Sequence, residues 1–170
     1  MQAPPTDNLT CDLPPALDRE LGKALVVGIG NELRGDDAAG LAVARLVAER
    51  EACPVIIAED VPENYLGPMQ QAGADTVIFC DAVDLGAQPG AIAVLDIEEL
   101  AGASVSTHNA SLRLVARCLR AGGVQRVLVA AVQPRSLHWG AELSDEVRKA
   151  TVALADMLVA ALEGPRRDAR

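Results

Sequence analysis

Residues 24–40 read ALVVGIGNELRGDDAAG, and the fold follows from the change of character halfway along them. Ala24–Ile29 is an unbroken apolar run of strand length, so both of its faces need cover. Glycines at 28, 30 and 35 then bend the chain. Asp36 and Asp37 open a helical pattern that reaches about Glu51, and acids suit the positive end of a helix. A strand buried on both faces that feeds a helix is the repeating unit of a mostly parallel α/β sheet.

Working outward, the same alternation recurs. Val55–Ala58 is a second strand, and Pro62 with Glu63 suits the first turn of a helix reaching about Ala72. Thr76–Cys80 (TVIFC) is a third strand, and Ala91–Leu95 follows the Pro89-Gly90 turn as a fourth. Leu112, Val115, Ala116 and Leu119 lie on one helix face, which Gly122-Gly123 ends. Arg126–Val132 is a fifth strand, and Val147, Leu154, Leu158 and Leu162 stripe a last helix that Gly164-Pro165 stops. The expected fold is a single α/β domain over residues 23–163, a mostly parallel five-stranded twisted sheet with helices on both faces. Residues 1–22, with four prolines and no steady periodicity, are expected to be a mobile arm. Residues 164–170 form a basic tail.

Composition excludes several functions. With 170 residues, 50% apolar content, 2% aromatics and a net charge of −9, the chain has core enough for one domain but neither stacking platforms nor a basic face. Nucleic acid and anionic membrane are therefore not expected partners. No apolar run approaches the ~18 residues of a membrane helix. The proline-rich, acidic start lacks the basic flank and apolar run of a signal peptide, which leads us to expect a cytoplasmic location. Cys11, Cys53, Cys80 and Cys118 form no CxxC pair, so neither a zinc ribbon nor a disulfide scaffold is expected. Cys80 and Cys118 are expected to be small buried residues.

In parallel sheets, ligands collect beyond the carboxyl ends of the strands where the strand order switches. Three chemically active segments fall there. The turn after the first strand resembles a dinucleotide fingerprint, but Leu33 stands at the third glycine position and two acids occupy the phosphate's place, so no nucleotide is expected. Asp36 fits a helix N-cap; Asp37, a second adjacent acid, has no capping job and reads as a ligand. Asp81 ends a buried apolar run and must be hydrogen-bonded, paired or holding a cation. His108 stands immediately before a helix. Two carboxylates and an imidazole at one sheet edge suit nickel, zinc or another first-row divalent ion, with positions open for an outside ligand. His138, beside the single tryptophan Trp139, reads as a surface loop residue on the rim.

GIGNELRGDDAAG, CDAVDLGAQPG and STHNASL, in that order and spacing, resemble the hydrogenase maturation proteases over about residues 24–160. Gly35-Asp36-Asp37, Pro62-Glu63-Asn64, Asp81-Ala82 and Thr107-His108-Asn109 resemble the branch that processes formate-hydrogenlyase-type hydrogenases. The resemblance implies an endopeptidase that cleaves the C-terminal extension from the large-subunit precursor of a nickel–iron hydrogenase once nickel is inserted. It implies that Asp37, Asp81 and His108 bind metal, the nickel being the substrate's own, and that Asp37 and Asp81 are the carboxylates of the catalytic site, the family having been grouped with aspartic peptidases. A carboxylate polarising water and Lewis-acid activation by the metal both fit these residues. The chain is expected to act as a monomer. Two departures stand out: Glu59-Asp60 replaces the Gly-Gly many relatives carry after the second strand, where the acids add negative potential or cap the next helix, and the N-terminal arm is longer. The competing readings are a non-proteolytic nickel-binding maturation factor, a nucleotide-dependent oxidoreductase and a metallohydrolase with its own zinc.

Overall fold

The computed structural model describes residues 14–102 and 108–164. Five strands, β1 (Ala24–Ile29), β2 (Val55–Glu59), β3 (Thr76–Ala82), β4 (Ile92–Asp96) and β5 (Arg126–Val132), form one sheet in the order β2-β1-β3-β5-β4. The first four in that order run parallel, and β4 pairs antiparallel with β5. The exception has a simple cause. Only residues 83–91 join β3 to β4, too few for the crossover of a dozen or more residues that a parallel return needs. The chain therefore turns back from the end at which β3 finishes.

Helices α1 (Ala39–Glu49) and α4 (Asp145–Glu163) cover one face, while α2 (Leu66–Gln71) and α3 (Asn109–Ala121) cover the other. Each face has its own core. Val26, Ile78, Cys80, Leu128 and Ala130 point towards α1 and α4; Leu25, Val27, Phe79, Val127 and Val129 point towards α2 and α3. That alternation along strands apolar at every position is why these strands read as continuous runs. The apolar faces expected of α3 and α4 are buried, Leu162 only partly.

Close backbone approach explains two glycines. A Cβ on Gly40 would lie 2.1 Å from the carbonyl oxygen of Cys80 and 2.3 Å from that of Ile29, so α1 packs onto the sheet only with glycine there. Gly30, at φ 135°, would set a Cβ 1.8 Å from the carbonyl oxygen of Asp37. The glycines after β1 thus bring strand and helix together rather than approach a pyrophosphate.

Residues 14–22 depart from the expected arm. Pro14 and Leu17 close a turn, Leu17 and Leu21 are buried against the α1–α4 core, and the carbonyl of Ala16 accepts a hydrogen bond from Arg126 at 2.6 Å. Two isolated leucines have no periodicity to announce burial; only the groove they fill reveals it. The remainder of the arm, residues 1–13, and residues 165–170 of the tail lie outside the described residues. Cys80 is buried as expected, whereas Cys118 is only half-buried.

Candidate functional site

The strand order reverses between β1 and β3, since the connection leaving β1 runs towards β2 and that leaving β3 towards β4. The carboxyl ends of these two strands frame a cleft. Asp37 reaches it from a short 3-10 turn, Gly35–Ala38, that precedes α1. Asp81 comes from the penultimate position of β3, and His108 from the residue before α3. All three are buried, at 1%, 0% and 8% exposure.

The imidazole is the hub. Its Nδ1 lies 3.6 Å from Oδ1 of Asp81, and its Nε2 lies 3.6 Å from Oδ1 of Asp60. The hydrogen bond it donates to the Asp81 carboxylate is the main reason its pKa lies above 6.5, with burial opposing and the charges of Asp81, Asp37 and Asp60 assisting. The carboxyl of Asp37 is likewise pushed up, first by burial and then by repulsion from Asp81, against the pull of His108 and Arg34. Oδ2 of Asp37 is buried with no hydrogen bond among the described residues; the Arg34 guanidinium approaches to 4.0 Å. Arg34 itself rests over the ring of Trp139 at 5.9 Å.

The three expected residues therefore converge, but not as three equivalent donors around a point. Among the described residues, the group whose donor atoms lie within 4.8 Å of one another is Asp37, Asp60 and His108. Asp81 stands behind, on the other ring nitrogen. From the sequence, Asp60 is expected to add negative charge or to cap the next helix. It caps nothing: the 3-10 turn Pro62–Tyr65 has no side-chain cap. One signal was present in the sequence, an acid pair where relatives carry Gly-Gly. Glu59 takes the left-handed φ of 52° that glycine adopts freely, which re-aims the loop. Thr107, quoted with His108, lies outside the described residues.

Asp36 also has a different role from the expected one. It makes no side-chain cap at its own turn. Its Oδ2 accepts the N–H groups of Arg135 and Ser136 at 2.8 and 3.0 Å and the Ser144 hydroxyl at 3.0 Å, while Oδ1 accepts the N–H of Ser144 at 2.7 Å. The first acid of the pair thus ties the β5–α4 loop to the turn that precedes α1 and leaves the second beside His108 and Asp60. His138 and Trp139, on that loop, are exposed, in keeping with a rim position. No helix among the described residues is long and apolar enough to cross a membrane.

The model of the family described as hydrogenase maturation protease matches residues 42–161, a span that holds Asp60, Asp81 and His108 and starts just beyond Asp37. The hydrogenase 3 maturation protease of Escherichia coli K12 is 29% identical over 109 residues, covering 62% of this chain and 69% of that protein. The crystal structure of a [NiFe] hydrogenase maturation protease from Thermococcus kodakarensis superposes with a TM-score of 0.75 at 31% identity, covering 84% of this chain and 94% of that one. A hydrogenase-maturating endopeptidase of E. coli superposes with a TM-score of 0.72 over 86% of this chain and 99% of that one, and at 24% identity that likeness speaks for the fold alone.

Proposed function

The chain belongs to the hydrogenase maturation protease family and is a peptide hydrolase, and we propose that it removes the C-terminal extension from the nickel-loaded large-subunit precursor of a nickel–iron hydrogenase. The observation that carries this reading is the buried cluster of Asp37, Asp81 and His108 at the switch point of the sheet. Such groups are costly to bury unless a cation or a reaction needs them.

In this reading the nickel is the substrate's, and the cluster reads it as proof that loading is complete. Asp37 offers an anionic oxygen with no hydrogen bond to give up. His108 offers a nitrogen, its orientation set by Asp81. Asp37 and Asp81 are the carboxylates of the scissile chemistry. The raised basicity of Asp37, which comes first from burial, suits a group that polarises a water molecule towards a peptide carbonyl. Arg34, which rests over Trp139 and lies 4.0 Å from Asp37, holds a positive charge beside that carboxylate. We place the reaction in the cytoplasm, carried out by a monomer without nucleotide.

The test incubates the purified protein with purified precursor, with and without Ni2+, and weighs the products by mass spectrometry. Cleavage confined to the loaded precursor is the expected result. A loaded precursor that stays intact while still binding the protein would turn the assignment towards a non-proteolytic maturation factor.

A further inference from the structure

Leu33 and Trp139 are, at 63% and 69% exposure, the most solvent-exposed of the large apolar side chains among the described residues. Exposed apolar residues scattered singly need no explanation. These two are not scattered. The Gly140 N–H donates to the carbonyl of Leu33 at 2.8 Å, and the Asp36 N–H to that of Ser136 at 3.0 Å, so the turn after β1 and the β5–α4 loop lie backbone to backbone. A Cβ on Gly35, which sits at φ 56°, would come within 2.9 Å of the Ser136 carbonyl oxygen, so glycine lets the two segments close. The Asp36 carboxylate holds the same loop at Arg135, Ser136 and Ser144. The indole therefore stands in water on a fixed mount while contributing little burial to the fold.

Both side chains adjoin the candidate site. The Arg34 guanidinium touches each neighbour in turn, 5.9 Å over the Trp139 ring and 4.0 Å from the Asp37 carboxylate. Leu33 lines a cavity of about 190 Å³ that Asp60 also lines, and a carboxylate oxygen of Asp60 lies within 4.8 Å of donor atoms of Asp37 and His108. That cavity is smaller than the roughly 300–1,000 Å³ that encloses even a small ligand. A stable protein pair buries about 800 Å² on each partner, so a protein substrate must be recognised on the surface around the cleft. Tryptophan and arginine are the side chains that most often anchor such an interface. A ring already held in place loses little freedom when it docks.

We propose that Leu33, Arg34 and Trp139 form a docking platform for the folded body of the hydrogenase large-subunit precursor, which seats an apolar recess on the indole while its chain end reaches Asp37. This rests on the maturation-protease reading given above and names the surface that selects the substrate. Leu33 and Asp37 belong to one compact turn, closed by hydrogen bonds from the Arg34 N–H to the Asn31 carbonyl and from the Asp37 N–H to the Arg34 carbonyl, both 3.1 Å. A partner seated on the platform is thus placed at a fixed distance from the carboxylate.

The experiment measures equilibrium binding of purified nickel-loaded precursor to the full chain carrying Asp37→Asn, so that cleavage does not intrude on the affinity. Adding Trp139→Ala or Leu33→Ser should weaken binding at least about tenfold, the low end for truncating an interface anchor. Val152→Ser, at an apolar position 44% exposed on α4 and outside the platform, should change it less than about twofold. Sedimentation velocity should show a monomer with and without Trp139→Ala, and that substitution should leave the unfolding midpoint within about 4 °C. No precursor binding to the Asp37→Asn chain, unchanged affinity in Trp139→Ala and Leu33→Ser, or an equal loss in Val152→Ser would each overturn the proposal. So would a wild-type dimer that Trp139→Ala dissociates, which gives the patch to a second copy, or a larger fall in midpoint, which gives the ring to this chain's own packing. Binding and cleavage are read separately. A precursor that binds through Trp139 yet stays intact with the wild-type chain sinks the peptidase reading and leaves the platform; one that the wild-type chain cuts and that binds as tightly without Trp139 and Leu33 does the reverse.

Discussion

Asp36→Asn exchanges one oxygen for an amino group, yet it should destabilise the chain by about 4–6 kcal/mol, worked from four hydrogen bonds to a buried charge. With its amide oxygen in the place of Oδ2, asparagine keeps three acceptances, from the N–H groups of Arg135 and Ser136 and the Ser144 hydroxyl. Each falls from a charge-assisted to a neutral bond, a loss of about 1 kcal/mol apiece. The new amino group then points at the Ser144 N–H, which Oδ1 had accepted at 2.7 Å. Two donors face each other, and the buried N–H left unpaired adds about 1–3 kcal/mol. The flipped amide is worse, since it keeps the Ser144 N–H bond but sets its amino group against the two N–H groups of Arg135 and Ser136. For a domain of this size the midpoint should fall by about 10–20 °C. Thermal unfolding followed by circular dichroism measures it, with Ser144→Ala, which loses only the hydroxyl bond, expected to fall between mutant and wild type. A drop of less than about 3 °C in Asp36→Asn would refute the idea that this carboxylate clamps the β5–α4 loop, and would return it to a capping role.

Asp37→Asn should have the opposite profile. The amide is free of the burial that raises the carboxyl's pKa, so its unfolding midpoint at neutral pH should not lie below wild type, while cleavage of nickel-loaded precursor is lost; processing at the wild-type rate would remove Asp37 from the chemistry. His108→Ala should abolish processing and His138→Ala, at an exposed position, should leave it intact, as gel analysis of the precursor would show. Stability of the metal-free chain should fall as pH rises. His108 binds its proton more tightly folded than unfolded, so its contribution is complete below 6.5 and is lost as pH climbs through the raised folded value; Asp37, raised from 3.8, has the same sign. Urea midpoints between about pH 5 and 9 measure this, the slope above 6.5 should shrink in His108→Gln, and a midpoint that climbs over that interval would contradict it. Gly40→Ala forces a methyl against two strand carbonyls and should cost about 3 kcal/mol or more, seen as a lowered urea midpoint.

The strands were legible because a sheet covered on both faces leaves no polar position to interrupt an apolar run. ALVVGI, TVIFC and RVLVAAV declare themselves without any partner, and the order of strands and helices then places the cleft. Asp37, Asp81 and His108 could be singled out because each sits at an element end on that side, where a buried charge demands a reason. What sequence left undecided depends on direction and contact. The acids Asp36 and Asp37 are adjacent and chemically identical, and only the turn that sends one towards Ser144 and the other into the cleft tells clamp from ligand. That β4 takes the sheet edge beside β5 rather than a place beside β3 depends on a pairing with a partner about thirty residues away in the chain. Asp60 reads, within the Glu59-Asp60 pair, as added negative potential or a cap for the next helix. Its place beside His108 is made by a register slip, a left-handed backbone at Glu59 and an amide from Asn31, none of which has a signature in the local pattern. Periodicity reports which side of an element faces the core; the aim of a single carboxylate is set by groups that meet only after the chain has folded.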